Sequence, residues 1–170
     1  SLEMVRKICH REGFGDILAE GCARAADIVG RNSSYYAMHI KGQDLYEPCR
    51  GSNGWLLGAT TSTRGGTHTT GGLVIETAPN LNVEKAKQVY GVEGLEKPLE
   101  YEGKAEMVTY MEAVSRMANC LGICLYSTTC LDVDQTDLPQ MAELYSAATG
   151  WETTVEDLKR LAMKQVNLEK

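Results

Sequence analysis

The chain has 170 residues, of which 43% are hydrophobic, and a formal net charge of −6. This length fits one domain, or two small lobes, that buries roughly 70% of the surface exposed by the unfolded chain. Acidic and basic residues are interleaved, which argues against the basic stripe needed for nucleic-acid binding. No apolar run approaches the ~20 residues of a membrane-spanning helix, and a signal-peptide core is missing. We predict a soluble, cytoplasmic protein that binds neither nucleic acid nor membrane.

The first half of the chain predicts one long helix followed by an irregular region. Apolar residues recur at helical spacing over residues 14–29, with Asp16 as the N-cap and Gly30 as the stop signal. Glycine, threonine and serine dominate residues 36–72, and so long a loop inside a domain is usually functional or disordered. Within it we predict an ordered, partly buried loop with a short helix over residues 53–62 and, at most, one strand over residues 37–41.

The second half predicts helices over residues 83–90, 104–118 and 138–148, and a last helix opened by a capping box from Thr153 to Glu156. The helix over residues 104–118 is the clearest, because its methionines fall on one face and predict a core stripe. The fold class is therefore predicted to be all-α, an irregular helical bundle with a long Gly/Thr-rich loop that faces a cofactor.

The six cysteines do not have the density of a secreted disulfide scaffold, and reduced thiols are expected. No C-x-x-C pair occurs, so the chain does not encode a self-contained zinc or iron–sulfur site. Cys124, at the end of the turn over residues 119–124, could ligate a cluster whose other ligands come from elsewhere. The chain starts without methionine and stops within a helical pattern, so we expect a piece of a longer protein.

The order of several motifs resembles the tungsten-dependent aldehyde:ferredoxin oxidoreductases along nearly the whole chain. These motifs are residues 15–21 (GDILAEG), Lys41-Gly42, residues 59–68 (ATTSTRGGTH), residues 119–124 (NCLGIC), residues 146–151 (SAATGW) and residues 167–169 (NLE). The resemblance implies that residues 1–40 are the helical end of the family's second domain. Residues 41–170 would be the helical third domain, truncated at its C-terminus, although one compact unit is an alternative.

The resemblance also implies roles for the turn over residues 119–124. Cys124 corresponds to the fourth ligand of a [4Fe–4S] cluster whose three other cysteines lie upstream of this chain. Asn119, Gly122 and Ile123 take a pterin-facing role. Asn119 stands where the family usually has Asp, which keeps an acceptor oxygen but removes the charge that strengthens the hydrogen bond. The alternative for Cys124 is a small buried core residue.

Further roles follow for the loop. Arg64 pairs with a phosphate or pterin oxygen, or instead braces the loop. Gly65 and Gly66 let the backbone pack against a bulky cofactor. His68 is the catalytic candidate, able to donate a hydrogen bond to a substrate carbonyl or to shuttle a proton, and its alternative is a histidine satisfied by the loop backbone. Thr70 stands near a position where the family often has a basic residue.

The function implied by the resemblance belongs to the full-length parent. It is oxidation of aldehydes to carboxylic acids at a tungsten–bis(pyranopterin) centre, with electrons passing through the [4Fe–4S] cluster to ferredoxin, and magnesium is left open as a further cofactor. The expected partners are ferredoxin, a small aldehyde and the missing N-terminal domain, with homo-oligomerisation left open. An anaerobic host is also implied. The isolated chain is expected to be inactive, because one cysteine cannot hold a cluster.

Two alternatives remain at this point. A member of the same family could act on another substrate, such as an aromatic acyl-CoA or a hydroxy acid. A non-catalytic helical interaction module could have kept the fold and lost the cofactors, and the residues at Asn119 and Thr70 favour it mildly.

Overall fold

The computed structural model describes residues 1–45, 49–71, 76 and 81–169. Eight α-helices and one two-stranded sheet occur in these residues, which confirms the all-α prediction. The chain divides into two compact units, unit 1 with residues 1–47 and 64–66 and unit 2 with residues 48–63 and 67–170. Gly72, the end of the predicted glycine-rich region, lies outside the described residues, as do residues 46–48 within the same region.

Unit 1 consists of three short helices and a hairpin. They are α1 (Leu2–His10), α2 (Phe14–Leu18), α3 (Cys22–Val29), β1 (His39–Ile40) and β2 (Gln43–Asp44). Helix α2 approaches α1 so closely that a Cβ atom added at Gly15 would lie 2.4 Å from the carbonyl carbon of Lys7. The absence of a side chain at Gly15 therefore permits this packing.

The single helix predicted over residues 14–29 is wrong, because α2 ends at Leu18 and α3 begins at Cys22. Gly21 has φ 85°, a conformation that an α-helix does not contain and that glycine adopts readily. Asp16 lies in the first turn of α2 and is not its N-cap, which is Gly13. Hydrophobic periodicity continued across this break and concealed it.

The hairpin of unit 1 turns at Lys41 and Gly42, whose φ angles are 53° and 78°. Two consecutive positive φ angles are typical of the type I′ turn, which matches the twist of antiparallel strands. Ile40 pairs with Gln43 across the turn, and the Gly42 amide donates to His39 Nδ1 at 3.3 Å. The strand predicted over residues 37–41 is thus present in shorter form.

Unit 2 is built around one central helix. Its helices are α4 (Asn53–Thr61), α5 (Val83–Tyr90), α6 (Lys104–Leu121), α7 (Leu138–Thr149) and α8 (Val155–Glu169). Helix α6 packs against the four others, and every residue from 111 to 118 is buried. A helix that is buried all round belongs to the centre of a core. Met107, Met111, Val114, Leu138 and Met141 are fully buried, which confirms the predicted methionine stripe.

The capping box that opens the last helix lies one residue later in the chain than predicted. The Thr154 hydroxyl accepts a hydrogen bond from the Asp157 amide at 3.2 Å, and the Asp157 carboxylate accepts one from the Thr154 amide at 3.1 Å. The predicted pair of Thr153 and Glu156 makes neither bond. Instead Glu156 forms an exposed ion pair with Lys159. No helix in the described part of the chain is long and apolar enough to cross a bilayer.

Candidate functional site

The turn over residues 119–124, called the Cys124 turn below, ends helix α6. Gly122 has φ 71° and ψ 24°, and the Ile123 amide donates to the Ala118 carbonyl at 2.8 Å. The Gly122 amide donates to the Asn119 carbonyl at 3.4 Å. These two bonds form a Schellman motif, which favours glycine at the left-handed position. Ile123 packs against the core and so anchors the turn.

The Cys124 turn presents its polar groups outward. Asn119, Gly122 and Cys124 are exposed, while Ile123 is half-buried. No atom lies within 4 Å of the position that a Gly122 Cβ would occupy. The Cys124 carbonyl accepts hydrogen bonds from the Ser127 amide at 3.0 Å and the Ser127 hydroxyl at 2.7 Å, which fixes the backbone beyond the cysteine. An exposed thiol on a fixed backbone is accessible to a ligand.

The other cysteines of this region differ from Cys124. Cys130 is buried in the core, and burial raises the pKa of its thiol to about 11. Cys120 is exposed, and its thiol donates to Gln165 Oε1 at 3.1 Å. No disulfide joins the six cysteines, all of which lie within the described ranges. Buried, protonated Cys130 is therefore the least suited of these three thiols to metal ligation.

The Gly/Thr-rich motif over residues 59–68 is divided between the two units. In unit 2 we call residues 62–63 and 67–70, which follow helix α4, the threonine loop. Thr70 is buried and its hydroxyl donates to Ser62 Oγ at 2.7 Å. His68 is half-buried, and its ring lies 5.4 Å from the Trp55 ring, measured between centroids. The role of His68 in catalysis stays a prediction.

The glycines of the loop pack against the hairpin of unit 1. A Cβ atom at Gly65 would lie 2.5 Å from the Ile40 carbonyl oxygen, and one at Gly66 would lie 2.8 Å from the Gln43 carbonyl oxygen. The Gly66 amide donates to the Ile40 carbonyl at 3.2 Å. The hairpin thus explains why neither residue has a side chain. Arg64 is exposed, and binding of a cofactor by Arg64, Gly65 and Gly66 stays a prediction.

Helix α6 bonds directly to the threonine loop through two consecutive side chains. Ser115 Oγ donates to the Thr69 carbonyl at 2.6 Å, and Arg116 Nη2 donates to Thr63 Oγ1 at 2.8 Å. At 1.5 Å per residue, Ser115 lies about 10 Å along the helix from Gly122. Unit 2 thereby connects the threonine loop, which carries His68, to the helix that ends in the Cys124 turn.

Sequence reasoning missed Arg116, which is 2% exposed and forms an ion pair with Glu169 at 2.7 Å. Its Nε is a buried donor with no acceptor among the described residues. The available signal was a charged residue inside the run over residues 111–118, which is dominated by small and apolar side chains. Fully buried arginine is rare unless it is paired, so this position predicts a specific partner.

A second buried ion pair lies at the opposite end of helix α6. The Lys104 ammonium pairs with the Glu76 carboxylate, and both side chains are almost inaccessible to solvent. The ammonium also donates to the Gly94 carbonyl at 2.9 Å, and Glu76 accepts a hydrogen bond from Ser52, the N-cap of α4. This pair connects the beginnings of two helices and lies at the other end of α6 from the Cys124 turn.

Comparison with known proteins defines the class of this chain as a helical portion of an oxidoreductase. The family model described as "Aldehyde ferredoxin oxidoreductase, domains 2 & 3" matches residues 1–170. The chain belongs to the aldehyde ferredoxin oxidoreductase family, which confirms the resemblance inferred from the motifs.

Curated relatives extend this result. The chain is 31% identical to the tungsten-containing aldehyde ferredoxin oxidoreductase of Pyrococcus abyssi and 30% identical to that of Pyrococcus furiosus. A third relative with the same name, from Thermococcus kodakarensis, is 27% identical. Each alignment covers 98% of this chain and 25% of the relative. The chain therefore spans about a quarter of the length of the curated relatives it matches.

Proposed function

We propose that the full-length parent of this chain is a tungsten-dependent oxidoreductase that oxidises aldehydes to carboxylic acids and transfers the electrons to ferredoxin. The printed names of the relatives, which include tungsten and ferredoxin, support this proposal. When bound, the tungsten–bis(pyranopterin) centre would supply the two-electron oxidation, and a [4Fe–4S] cluster would transfer electrons one at a time. We place the parent in the cytoplasm of an anaerobic host.

The donor set of this chain fits one part of such a centre. Cys124 is an exposed thiol that follows the left-handed glycine of a Schellman motif, and iron–sulfur clusters are held by cysteine thiolates. Among the described residues no group of three or more His, Cys, Asp or Glu side chains could hold a metal by itself. We therefore assign Cys124 as one cluster ligand and the other ligands to the rest of the parent.

The remaining candidate residues would bind and orient rather than react. Asn119 would accept or donate a hydrogen bond to a pterin through its exposed side-chain amide. Gly122 leaves open space where a side chain would project, so a bulky group can approach its backbone. Arg64 would bind an anionic oxygen through its guanidinium. Residues 1–40 and 41–170 would be the end of the second domain and the third domain.

His68 would act on the substrate. Its imidazole would donate a hydrogen bond to the aldehyde carbonyl or exchange a proton with the product, and packing against Trp55 would hold the ring in place. The isolated chain is expected to be inactive, because it contributes one cluster ligand and spans a quarter of its relatives.

The observation that carries the proposal is the match of the whole chain to the family together with the exposed Cys124 turn. The test is anaerobic expression of the full-length parent with tungstate, followed by measurement of tungsten and iron per chain. We expect tungsten with about four irons in the wild type. Iron should fall in Cys124→Ser and stay unchanged in Cys120→Ser, a matched control because Cys120 is also exposed and belongs to the same turn.

A metal-free, well-folded wild type would contradict the proposal and leave the helical interaction module. Equal iron loss in both cysteine variants would contradict the assignment of Cys124 as the cluster ligand, but not the presence of the cluster. A loaded enzyme that oxidises no aldehyde, but reduces an aromatic acyl-CoA or oxidises a hydroxy acid, would retain the cofactors and replace the substrate.

A further inference from the structure

Arg116 occupies the point where three segments of unit 2 meet. Its guanidinium belongs to helix α6, donates to Thr63 of the threonine loop and pairs with Glu169 in the last turn of α8. The Thr63 hydroxyl also bonds to the Glu169 carboxylate. Arg116, Thr63 and Glu169, from three separate segments, therefore form one polar cluster. The guanidinium of Arg116 is its buried charge.

The burial of Arg116 makes this cluster sensitive to the loss of either partner. A buried charge is tolerated when it is paired and hydrogen-bonded, and removal of one partner leaves a desolvated charge. Arg116 is 2% exposed, whereas the Glu169 side chain is 32% exposed. Arg116 is therefore the fixed member of the pair, and Glu169 and Thr63 are the groups that it holds.

The Cys124 turn begins one helical turn after Arg116. Residues three and four positions apart are neighbours on a helix surface, so Arg116 neighbours Asn119 and Cys120. A second connection runs from the Cys120 thiol to Gln165 Oε1 at 3.1 Å and from Gln165 Nε2 to Glu169 Oε1 at 3.4 Å. The turn is thus connected to Glu169 both through Arg116 and through Gln165.

We propose that Arg116 is the positioning residue of the Cys124 turn. Through Thr63 and Glu169, its guanidinium holds the C-terminal end of α6 in a fixed position relative to the threonine loop and the end of α8. This inference rests on the proposed function for its significance, because the turn carries the assigned cluster ligand.

The test uses the full-length parent and compares Arg116→Gln, Arg116→Lys and Thr63→Val with the wild type. Amide hydrogen exchange is measured on peptides covering residues 117–126, and the reduced cluster is examined by electron paramagnetic resonance. Arg160→Gln is the matched control, because it removes an exposed arginine of α8 whose ion pair with Asp157 has the same length of 2.7 Å.

We expect Arg116→Gln to accelerate exchange in residues 117–126 about tenfold or more and to shift the resonance spectrum of the cluster. Thr63→Val leaves both members of the ion pair in the chain and should accelerate exchange about two- to tenfold. Arg116→Lys retains a charged donor and should restore most of the protection. Arg160→Gln should leave both measurements unchanged.

Unchanged exchange in Arg116→Gln would overturn the proposal. An equal increase in all helices of unit 2, for both Arg116→Gln and Thr63→Val, would also overturn it, because Arg116 would then support overall stability and not the turn. The exchange comparison requires no metal. A metal-free wild type would therefore contradict the proposed function, while the exchange data would still decide the role of Arg116.

Discussion

Unit 2 is stabilised by a core of large side chains, whereas unit 1 depends on close approach of backbone segments. The fully buried residues of unit 2 include methionines, leucine and valine on three helices. In the described part of unit 1, the buried hydrophobic side chains are Ala25, Ala26 and Ala37. Its tight contacts are made instead at Gly15, Gly65 and Gly66, where a Cβ atom would meet backbone within 3 Å.

This difference changes which substitutions are damaging. Truncation of a buried side chain leaves a cavity in unit 2. The same kind of substitution has a small effect in unit 1, because its large apolar side chains Phe14, Ile28 and Tyr36 are exposed. Addition of one carbon atom is damaging in unit 1 at Gly15, Gly65 and Gly66, because these three glycines have no room for it. The two candidate cofactor segments follow the same division, since Gly122 is open and Gly65 and Gly66 are filled.

The largest effect is expected at the buried ion pair of unit 2. Glu76→Ala leaves the Lys104 ammonium buried and unpaired, which should lower the free energy of unfolding by about 3–5 kcal/mol. Urea denaturation followed by circular dichroism measures this loss. The double variant Glu76→Leu with Lys104→Met should recover most of it, because two apolar side chains remove the unpaired charge.

The matched control for this pair is the exposed pair of Lys97 and Glu100, whose atoms lie 3.4 Å apart with both side chains about half exposed. Glu100→Ala should cost under about 1 kcal/mol. If Glu76→Ala costs no more than Glu100→Ala, the ammonium of Lys104 is not held in a desolvated site.

Core truncation in unit 2 should have the next largest effect. Leu138→Ala on α7 removes a fully buried side chain and should cost about 2–5 kcal/mol. Leu144→Ala lies on the same helix at 60% exposure and should change stability by less than about 0.5 kcal/mol. Thermal and urea unfolding of both variants provide the comparison, and equal losses would show that α7 does not pack as described.

The glycines of the two candidate cofactor segments separate packing from backbone strain. Gly65 and Gly122 both have positive φ, at 111° and 71°, so alanine is strained at either position. Gly122→Ala should cost about 1 kcal/mol, because nothing obstructs the new methyl group. Gly65→Ala should cost about 1–3 kcal/mol more, because the methyl group meets the Ile40 carbonyl.

Exchange of the Gly66 amide, which donates to Ile40, reports this loss locally. Protection should fall in Gly65→Ala and stay constant in Gly122→Ala. Equal destabilisation by the two substitutions would mean that the hairpin does not fill the space beside Gly65.

Patterns that act over a few residues predicted most of unit 2 correctly. The methionine spacing predicted helix α6, and the helices predicted over residues 83–90 and 138–148 match α5 and, to within one residue, α7. The Cys124 turn was placed correctly at the end of α6, although the helix extends to Leu121. These features depend on local backbone preferences, which the sequence displays directly.

Contacts between distant residues were not predicted, because no local pattern encodes them. Arg116 bonds to Thr63 and Glu169, each more than fifty residues away. Gly65 and Gly66 were interpreted as leaving room for a cofactor, which stays a prediction, and their packing against the hairpin at Ile40 and Gln43 was not foreseen. A glycine is compatible with a left-handed turn, as at Gly122, or with a close neighbour, as at Gly65, and the sequence does not identify that neighbour. The order of the motifs identified the family. The residues that contact Arg116, Gly65 and Gly66 are known only from the three-dimensional structure.

The smallest expected effect concerns the capping box of α8, where sequence reasoning was wrong by one residue. The hydrogen bond from the Thr154 hydroxyl, and that from its backbone amide, hold the pKa of the Asp157 carboxyl below its ordinary value of 3.8. Because the folded pKa is lowered, this stabilisation is present above the ordinary value and is lost as the pH falls through the lowered value. Acid should therefore fray the first turn of α8.

Titration of the Asp157 carboxyl by nuclear magnetic resonance checks this assignment. Thr154→Val removes the hydroxyl donor and should raise the Asp157 pKa towards 3.8. Thr153→Val is the matched control, because the Thr153 hydroxyl donates to the Trp151 carbonyl at 3.2 Å and not to Asp157. If the predicted pair of Thr153 and Glu156 formed the capping box, neither variant would shift the Asp157 pKa. A shift in Thr154→Val alone would show that α8 begins where its hydrogen bonds place it.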